Sequence, residues 1–298
     1  MISTDLQKDE ILQSSANTLI ALALDEDLGD RGDVTSMATL PPNLIIHGRI
    51  TAKAEGVIAG LALVEAVYKR LDSSVEVRAF IADGTLVIAG TVVVEVIGNA
   101  QSVLSAERVA LNFLQRLSGV ATLTAQFVNA VAGTGAVILD TRKTTPGWRV
   151  LEKYAVHIGG GQNHRIGLYD MVLIKDNHID AAGSITAAVG QTLSYLGAQR
   201  LPIVVEVKSQ DELHETLALA ENTGAITRIL LDNMDETQLR EAVHITGGRV
   251  PLEASGNMRV EHVRRVAETG VQYISVGALT HSAPALDLSM RLTPAQAE

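Results

Sequence analysis

The chain has 298 residues, 47% of them hydrophobic and 3% aromatic, with a formal net charge of −10 at pH 7. That length suits one large or two ordinary domains with an aliphatic core. The acidic balance, pI near 5.3, argues against nucleic acid or an anionic membrane as main partner, since either needs a basic face, and the lack of cysteine excludes disulfides, thiolate metal sites and cysteine nucleophiles.

The polar, acidic start MISTDLQKDE is wrong for a signal peptide. The longest apolar run, TLVIAGTVVVEVIG, is broken by Glu95 and by glycines and reads as strand, not as a membrane span. A soluble, cytoplasmic protein is expected. Residues 5–24 hold Leu6, Ile11, Leu12, Leu19, Ile20, Leu22 and Leu24 in a helix-like pattern closed by Asp30-Arg31-Gly32. Strand-like runs follow at 45–54, 75–82 and 86–97, the last interrupted at Ala89-Gly90, and helix-like LALVEAVYKRL lies between the first two. Strands joined by short turns predict a mostly antiparallel sheet with helices on one face. Residues 102–132 return to helical spacing, punctuated by Gly119 and Gly133, and the first domain is expected to cover 1–117.

The second half has another rhythm. Short β-branched runs end at Asp140, Lys175, Glu206, Asp232, Ser255 and Gly277, each followed by a helix-like stretch. Such spacing is that of a strand plus a crossover helix, which implies parallel strands and right-handed connections. A barrel fits better than an open sheet, because a barrel gathers all strand C-termini on one face. Six units leave that barrel incomplete, and the barrel domain is expected to span 118–281.

The segment 140–178 collects Arg142, Lys143, Arg149, Lys153, Arg165 and Lys175 with His157, His164 and His178. After Asp140 only Glu152, Asp170 and Asp176 oppose them. Cations abutting apolar strands are costly to desolvate unless an anion meets them, so a small ligand with several negative charges is expected. Ser255-Gly256 and Gly277 precede helix-like stretches at 260–268 and 285–292. Their backbone amides could form a phosphate site at helix N-termini, or the small residues could serve only tight turns. Glu206 and Asp232 suit ribose hydroxyls or a magnesium ion; an ion pair with Lys175 or Lys208 is the competing reading. The histidines lack the spacing of a helical zinc motif, and Gly159-Gly160-Gly161 lacks the context of a dinucleotide fingerprint. Arg108 and Arg116 share a helix face, either as surface arginines or reaching an active site from a neighbouring domain or subunit.

The runs DEDLGDRGDVTS, EGVIAGL, SAERVALNFLQRLSGVAT, LDTRKTTPGWR, GGGQNHRIGLYD, LIKDNHI, LLDNM, LEASGN and VGALTHS cover nearly the whole chain. Together they resemble the quinolinate phosphoribosyltransferases, or carboxylating nicotinate-nucleotide pyrophosphorylases, of the type II phosphoribosyltransferase fold. DTRKTTPG, NHR and IKDNH in this order are the most specific. The resemblance implies an N-terminal open-faced α/β sandwich, an incomplete α/β barrel and a tail, 282–298, returning to the first domain. It implies transfer of phosphoribosyl from 5-phosphoribosyl-1-pyrophosphate to quinolinate with decarboxylation, magnesium accompanying the pyrophosphate. By the same resemblance Arg142, His164, Arg165 and Lys175 line the quinolinate pocket, and Arg108 joins them from the second subunit of a homodimer or of a higher oligomer. Lys143 and Lys175 meet pyrophosphate, Glu206 and Asp232 serve ribose and metal, and Ser255, Gly256, Gly277 and His281 serve the phosphates. Rival readings are a relative acting on nicotinate, a phosphosugar aldolase or epimerase using Lys175, and a non-catalytic anion-binding relative.

Overall fold

The computed structural model describes residues 10–294. Leu6, at the start of the first predicted helix, lies outside them. In chain order the elements are α1 (Glu10–Leu28), α2 (Val34–Thr39), β1 (Ile45–Ala52), β2 (Gly56–Val57), α3 (Leu61–Leu71), β3 (Glu76–Ala79), β4 (Leu86–Val87), β5 (Val92–Asn99) and α4 (Ala100–Ala130). There follow β6 (Val137–Leu139), α5 (Arg149–Ile158), β7 (Val172–Ile174), α6 (Asp176–Ala182), α7 (Ile185–Leu196), β8 (Ile203–Val207), α8 (Gln210–Thr223) and β9 (Ile226–Asp232). The chain closes with α9 (Glu236–Thr246), β10 (Leu252–Ser255), α10 (Val260–Ala267), β11 (Tyr273–Ser275), α11 (Ala278–His281) and β12 (Leu288–Pro294).

The described residues fall into two units. The first takes the chain up to residue 125, the insert 144–160 and the segment from 279 on; the second takes 126–143 and 161–278.

In the first unit an antiparallel sheet has the order β12-β1-β5-β3. The helix predicted at 285–292 is therefore a strand for most of its length. Leu288 and Leu292 fit helical spacing, but Leu288, Met290 and Leu292 also alternate, and β1 offers an edge that pairs with β12 from Ala52↔Leu288 to Ile46↔Pro294. Tertiary pairing decides between the two periods. The predicted break at Gly119 is absent as well, since α4 runs through it. That glycine lets the chain after α11 approach: a Cβ there would lie 2.0 Å from the Pro284 carbonyl oxygen. Nearby, Leu286 N–H donates to the Gln115 carbonyl at 3.0 Å.

Arg116 sits at the same junction. Its guanidinium donates to the Ala283 and Thr280 carbonyls and to Glu152, 2.7 Å away and fully buried. Glu152 also accepts from the Thr145 amide and hydroxyl. Arg116 is thus the partner of a buried carboxylate, which neither reading from sequence anticipated.

The second unit is a parallel sheet of six strands in the order β6-β11-β10-β9-β8-β7. Taken around a circle this is sequence order, with the gap between β6 and β7, as in an incomplete barrel. All five residues of β8 are buried, as expected where helices cover a parallel sheet. Helices α7, α8 and α9 start on side-chain caps from Ser184, Ser209 and Asp235, each satisfying amides left over in a first turn.

Candidate active site

Parallel strands send their C-terminal ends to one side, and period-two alternation aims every second side chain inward. Arg228, Leu230 and Asp232 share one face of β9. Across the ladder Asp232 is opposite Ser255, Leu230 is opposite both Glu253 and Glu206, and Tyr273 is opposite Glu253. These ends enclose a cavity of about 540 Å³, lined by Arg142, Lys143, His164, Arg165, Lys175, Glu206, Asp232, Glu253, Ser255 and Ser275 among others.

Asp140, buried at the end of β6, fixes the turn that carries the cations. Its carboxylate accepts from the His164 amide at 2.8 Å and from the Asn163 side chain at 2.7 Å. His164 and Arg165 are both buried. The Arg165 guanidinium donates to the Met171 carbonyl at 3.1 Å. Burial, and next the charge of Arg142, lower the Arg165 pKa from its ordinary value, with Asp170 opposing them. A guanidinium does not give up its proton in a protein, so two cations are held close at a cost that a bound anion would relieve.

Lys175 follows β7. Its ammonium is 2.7 Å from Glu206 Oε2, and its amide donates to His178 Nδ1 at 2.9 Å. The ion pair weighed as a rival for Glu206 is therefore present, while Lys208 pairs with Asp176 at 2.7 Å. Asp232 accepts from the Asn233 side chain at 2.8 Å. Gly256 has φ +113°, and a Cβ there would meet Asn233 Oδ1 at 2.2 Å, so this loop lies against Asn233 only because the residue is glycine.

The structure does not gather every residue singled out from sequence. Gly256 and Gly277 do not line the cavity. Gly277 leads into α11, four residues long, because the longer helix expected behind it is β12. His281 ends α11 in the first unit, exposed and 2.5 Å from the Ser282 hydroxyl. Arg108 is exposed on α4, beside a separate cavity of about 190 Å³ with Glu26, Asp27 and Trp148. Arg149 and Lys153 also belong to the first unit, on α5, so the cationic segment 140–178 divides between the units.

Sequence reasoning passed over Glu253 and Arg228. The signal was there: in LEAS, Glu253 stands between apolar residues of a central strand, where a carboxylate needs a buried partner. In TRILLD, Arg228 shares the inward face with Asp232. A second cleft, about 450 Å³ beside β7, is lined mainly by apolar groups such as Leu173, Ala182 and Tyr195. It lacks the converging charges of the first. Among the described residues no group of three or more His, Asp or Glu could hold a metal by itself, and no helix is long and apolar enough to cross a membrane.

Family comparison places this arrangement. The model of the quinolinate phosphoribosyl transferase N-terminal domain matches residues 33–118, and that of the C-terminal domain matches 120–291. The chain belongs to the quinolinate phosphoribosyltransferase family. It is 46% identical over 286 residues to the chloroplastic nicotinate-nucleotide pyrophosphorylase (carboxylating) of Oryza sativa, covering 92% of this chain and 76% of that one. It is equally similar to a mitochondrial quinolinate phosphoribosyltransferase (decarboxylating) of Nicotiana tabacum, with 81% of that protein covered. Among solved structures, NadC of Streptococcus pyogenes superposes with a TM-score of 0.89 at 38% identity, covering 95% of this chain and 98% of that one.

Proposed function

We infer that this chain transfers phosphoribosyl from 5-phosphoribosyl-1-pyrophosphate to the ring nitrogen of quinolinate, releasing pyrophosphate and carbon dioxide and leaving nicotinate mononucleotide for NAD biosynthesis. The observation that carries this reading is the cavity in which Arg142 and Arg165 repel each other beside Lys143 and Lys175, with Glu206 and Asp232 on adjoining strands. Quinolinate carries two carboxylates, and guanidinium forks match carboxylates with charge-assisted hydrogen bonds. Nicotinate, with one carboxylate, leaves more of that charge uncompensated.

Arg142 and Arg165 hold the dianion, and Lys143 and Lys175 attract the pyrophosphate. Lys175 is already paired with Glu206, so substrate entry exchanges one carboxylate partner for another anion. Glu206 and Asp232 accept from ribose hydroxyls. No side-chain nucleophile is required: positioning and electrostatic stabilisation of a cationic ribosyl centre and an anionic leaving group carry the first step. After N-ribosylation the ring is a cation, so breaking the bond to the 2-carboxylate leaves its electron pair at C2 beside positive nitrogen. The carbon then takes a proton. Ser255, the last residue of β10, and the backbone amides of Gly256 and Gly277 serve the 5-phosphate.

Glu206 and Asp232 also fit magnesium, whose hard-oxygen preference is met by one or two carboxylates completed by substrate phosphates. Bound there, the ion would neutralise charge on the pyrophosphate. The active species is a homodimer in which Arg108 of one chain completes the site of the other, and its compartment is the cytoplasm, in keeping with an acidic chain without cysteine.

Incubation with quinolinate, phosphoribosyl pyrophosphate and magnesium tests the reading. Carbon dioxide and nicotinate mononucleotide in equal amounts are expected. Product from nicotinate but none from quinolinate would overturn it.

A further inference from the structure

Glu253 is a carboxylate with no exposed surface in the middle of the parallel sheet, and it lines the cavity of the cations. Its Oε2 is 2.8 Å from Arg228 Nη1 and 3.3 Å from His164 Nε2. Oε1 is buried without a hydrogen-bond partner. Arg228 is held in turn: its guanidinium carbon lies 3.8 Å from the centroid of the Tyr273 ring, on the strand that pairs with β10. Arginine and imidazole thus share one carboxylate oxygen, and the imidazole also lines the cavity.

The hydrogen bonds assign the imidazole tautomer. His164 Nδ1 accepts the Arg165 amide N–H at 2.8 Å, so the ring hydrogen sits on Nε2 and points at Glu253. Burial raises the Glu253 pKa, but the hydrogen bonds from His164 and Arg228, together with the Arg228 charge, outweigh it and hold the carboxyl below its ordinary value. An ionised carboxylate therefore lies behind a site that must attract a dianion. Left alone it would repel the ligand; paired with Arg228 it does not.

We propose that Glu253 is a positioning residue that fixes the His164 ring in its Nε2–H form, and that Arg228 is its counter-ion, keeping the carboxylate from repelling the anionic substrate. The substrate half of this proposal rests on the quinolinate reading of the cavity. The positioning half does not, because it concerns a contact within the protein.

Two measurements test it. Nitrogen NMR of isotope-labelled histidine reads the His164 tautomer without any ligand, its signal identified by its loss in His164→Ala. The Nε2–H form is expected in the native protein. It is expected to persist in Glu253→Gln, whose amide oxygen still accepts, and to give way to a mixture in Glu253→Leu. An unaltered tautomer in Glu253→Leu would overturn the positioning role.

Steady-state kinetics then test the charge argument. Arg228→Met should raise the quinolinate KM about ten- to a hundredfold, the range for a lost charged interaction, with a much smaller change in kcat. Adding Glu253→Gln to that variant should recover most of the loss, because the repelling charge is gone. A merely structural pair predicts the reverse, a double variant no better than Arg228→Met, and that result would overturn the counter-ion role. Should either variant fail to fold, Arg228→Lys, which keeps the charge, must retain a KM nearer the native value than Arg228→Gln; equal losses would count against the proposal. A native protein inactive on quinolinate would refute the functional reading, while the tautomer measurement would still decide the part played by Glu253.

Discussion

Arg142 and Arg165 stand close enough for one charge to depress the pKa of the other. A dianion relieves that repulsion, so replacing either arginine by alanine is expected to weaken quinolinate binding about ten- to a hundredfold, the equivalent of a lost charge-assisted hydrogen bond. The fold should survive, and calorimetry reads the affinity directly. Unchanged affinity in both variants would remove them from the site. Glu206→Gln and Asp232→Asn should behave differently. Assigned to ribose and metal, they are expected to lower turnover more than quinolinate affinity, measured at saturating magnesium. A variant that loses quinolinate affinity with normal turnover would contradict that division.

At the scale of elements, α4 offers a case where two effects oppose each other. Alanine is favoured over glycine inside a helix by about 1 kcal/mol, yet at Gly119 a Cβ would meet the Pro284 carbonyl at 2.0 Å. Backbone has little room to yield there, and overpacking typically costs about 1–3 kcal/mol. Gly119→Ala should therefore lower the denaturation midpoint despite its helix propensity; a rise would show that the segment after α11 moves freely. Arg116→Met should be worse, about 3–5 kcal/mol in urea unfolding, because it strands the buried Glu152 carboxylate. The same elements mark what sequence can reveal. The strand ends Asp140, Lys175, Glu206, Asp232 and Ser255 were legible because continuous apolar runs stop at polar residues, and that pattern is intrinsic to a buried parallel strand. Periodicity could not identify β12, whose apolar residues satisfy two spacings until β1 selects one. Nor could it find the Glu152 or Glu253 pairs, whose partners are remote in sequence: a lone buried carboxylate says that a cation exists, and not which one.

For the whole molecule the test lies in Arg108, on the first unit, and Arg165, on the second. If a second copy supplies Arg108, chains carrying Arg108→Ala mixed with chains carrying Arg165→Ala should regain part of the activity, since a two-fold dimer has two equivalent shared sites. One of the two sites in each mixed pair then holds both arginines. Mixtures that stay inactive after proven subunit exchange would mean that each chain uses its own Arg108 or none.

The first unit draws β1 and β12 from far apart in the chain. A ribosome releases β1 long before β12, so while the residues between them are made one edge of β1 presents unpaired amides and carbonyls. An open edge of this kind is a template for wrong partners, and nascent chains of this protein should depend on chaperones until β12 emerges. Messages cut short just before β12 are expected to yield insoluble product in a fractionated lysate, even though every cavity-lining side chain has been made.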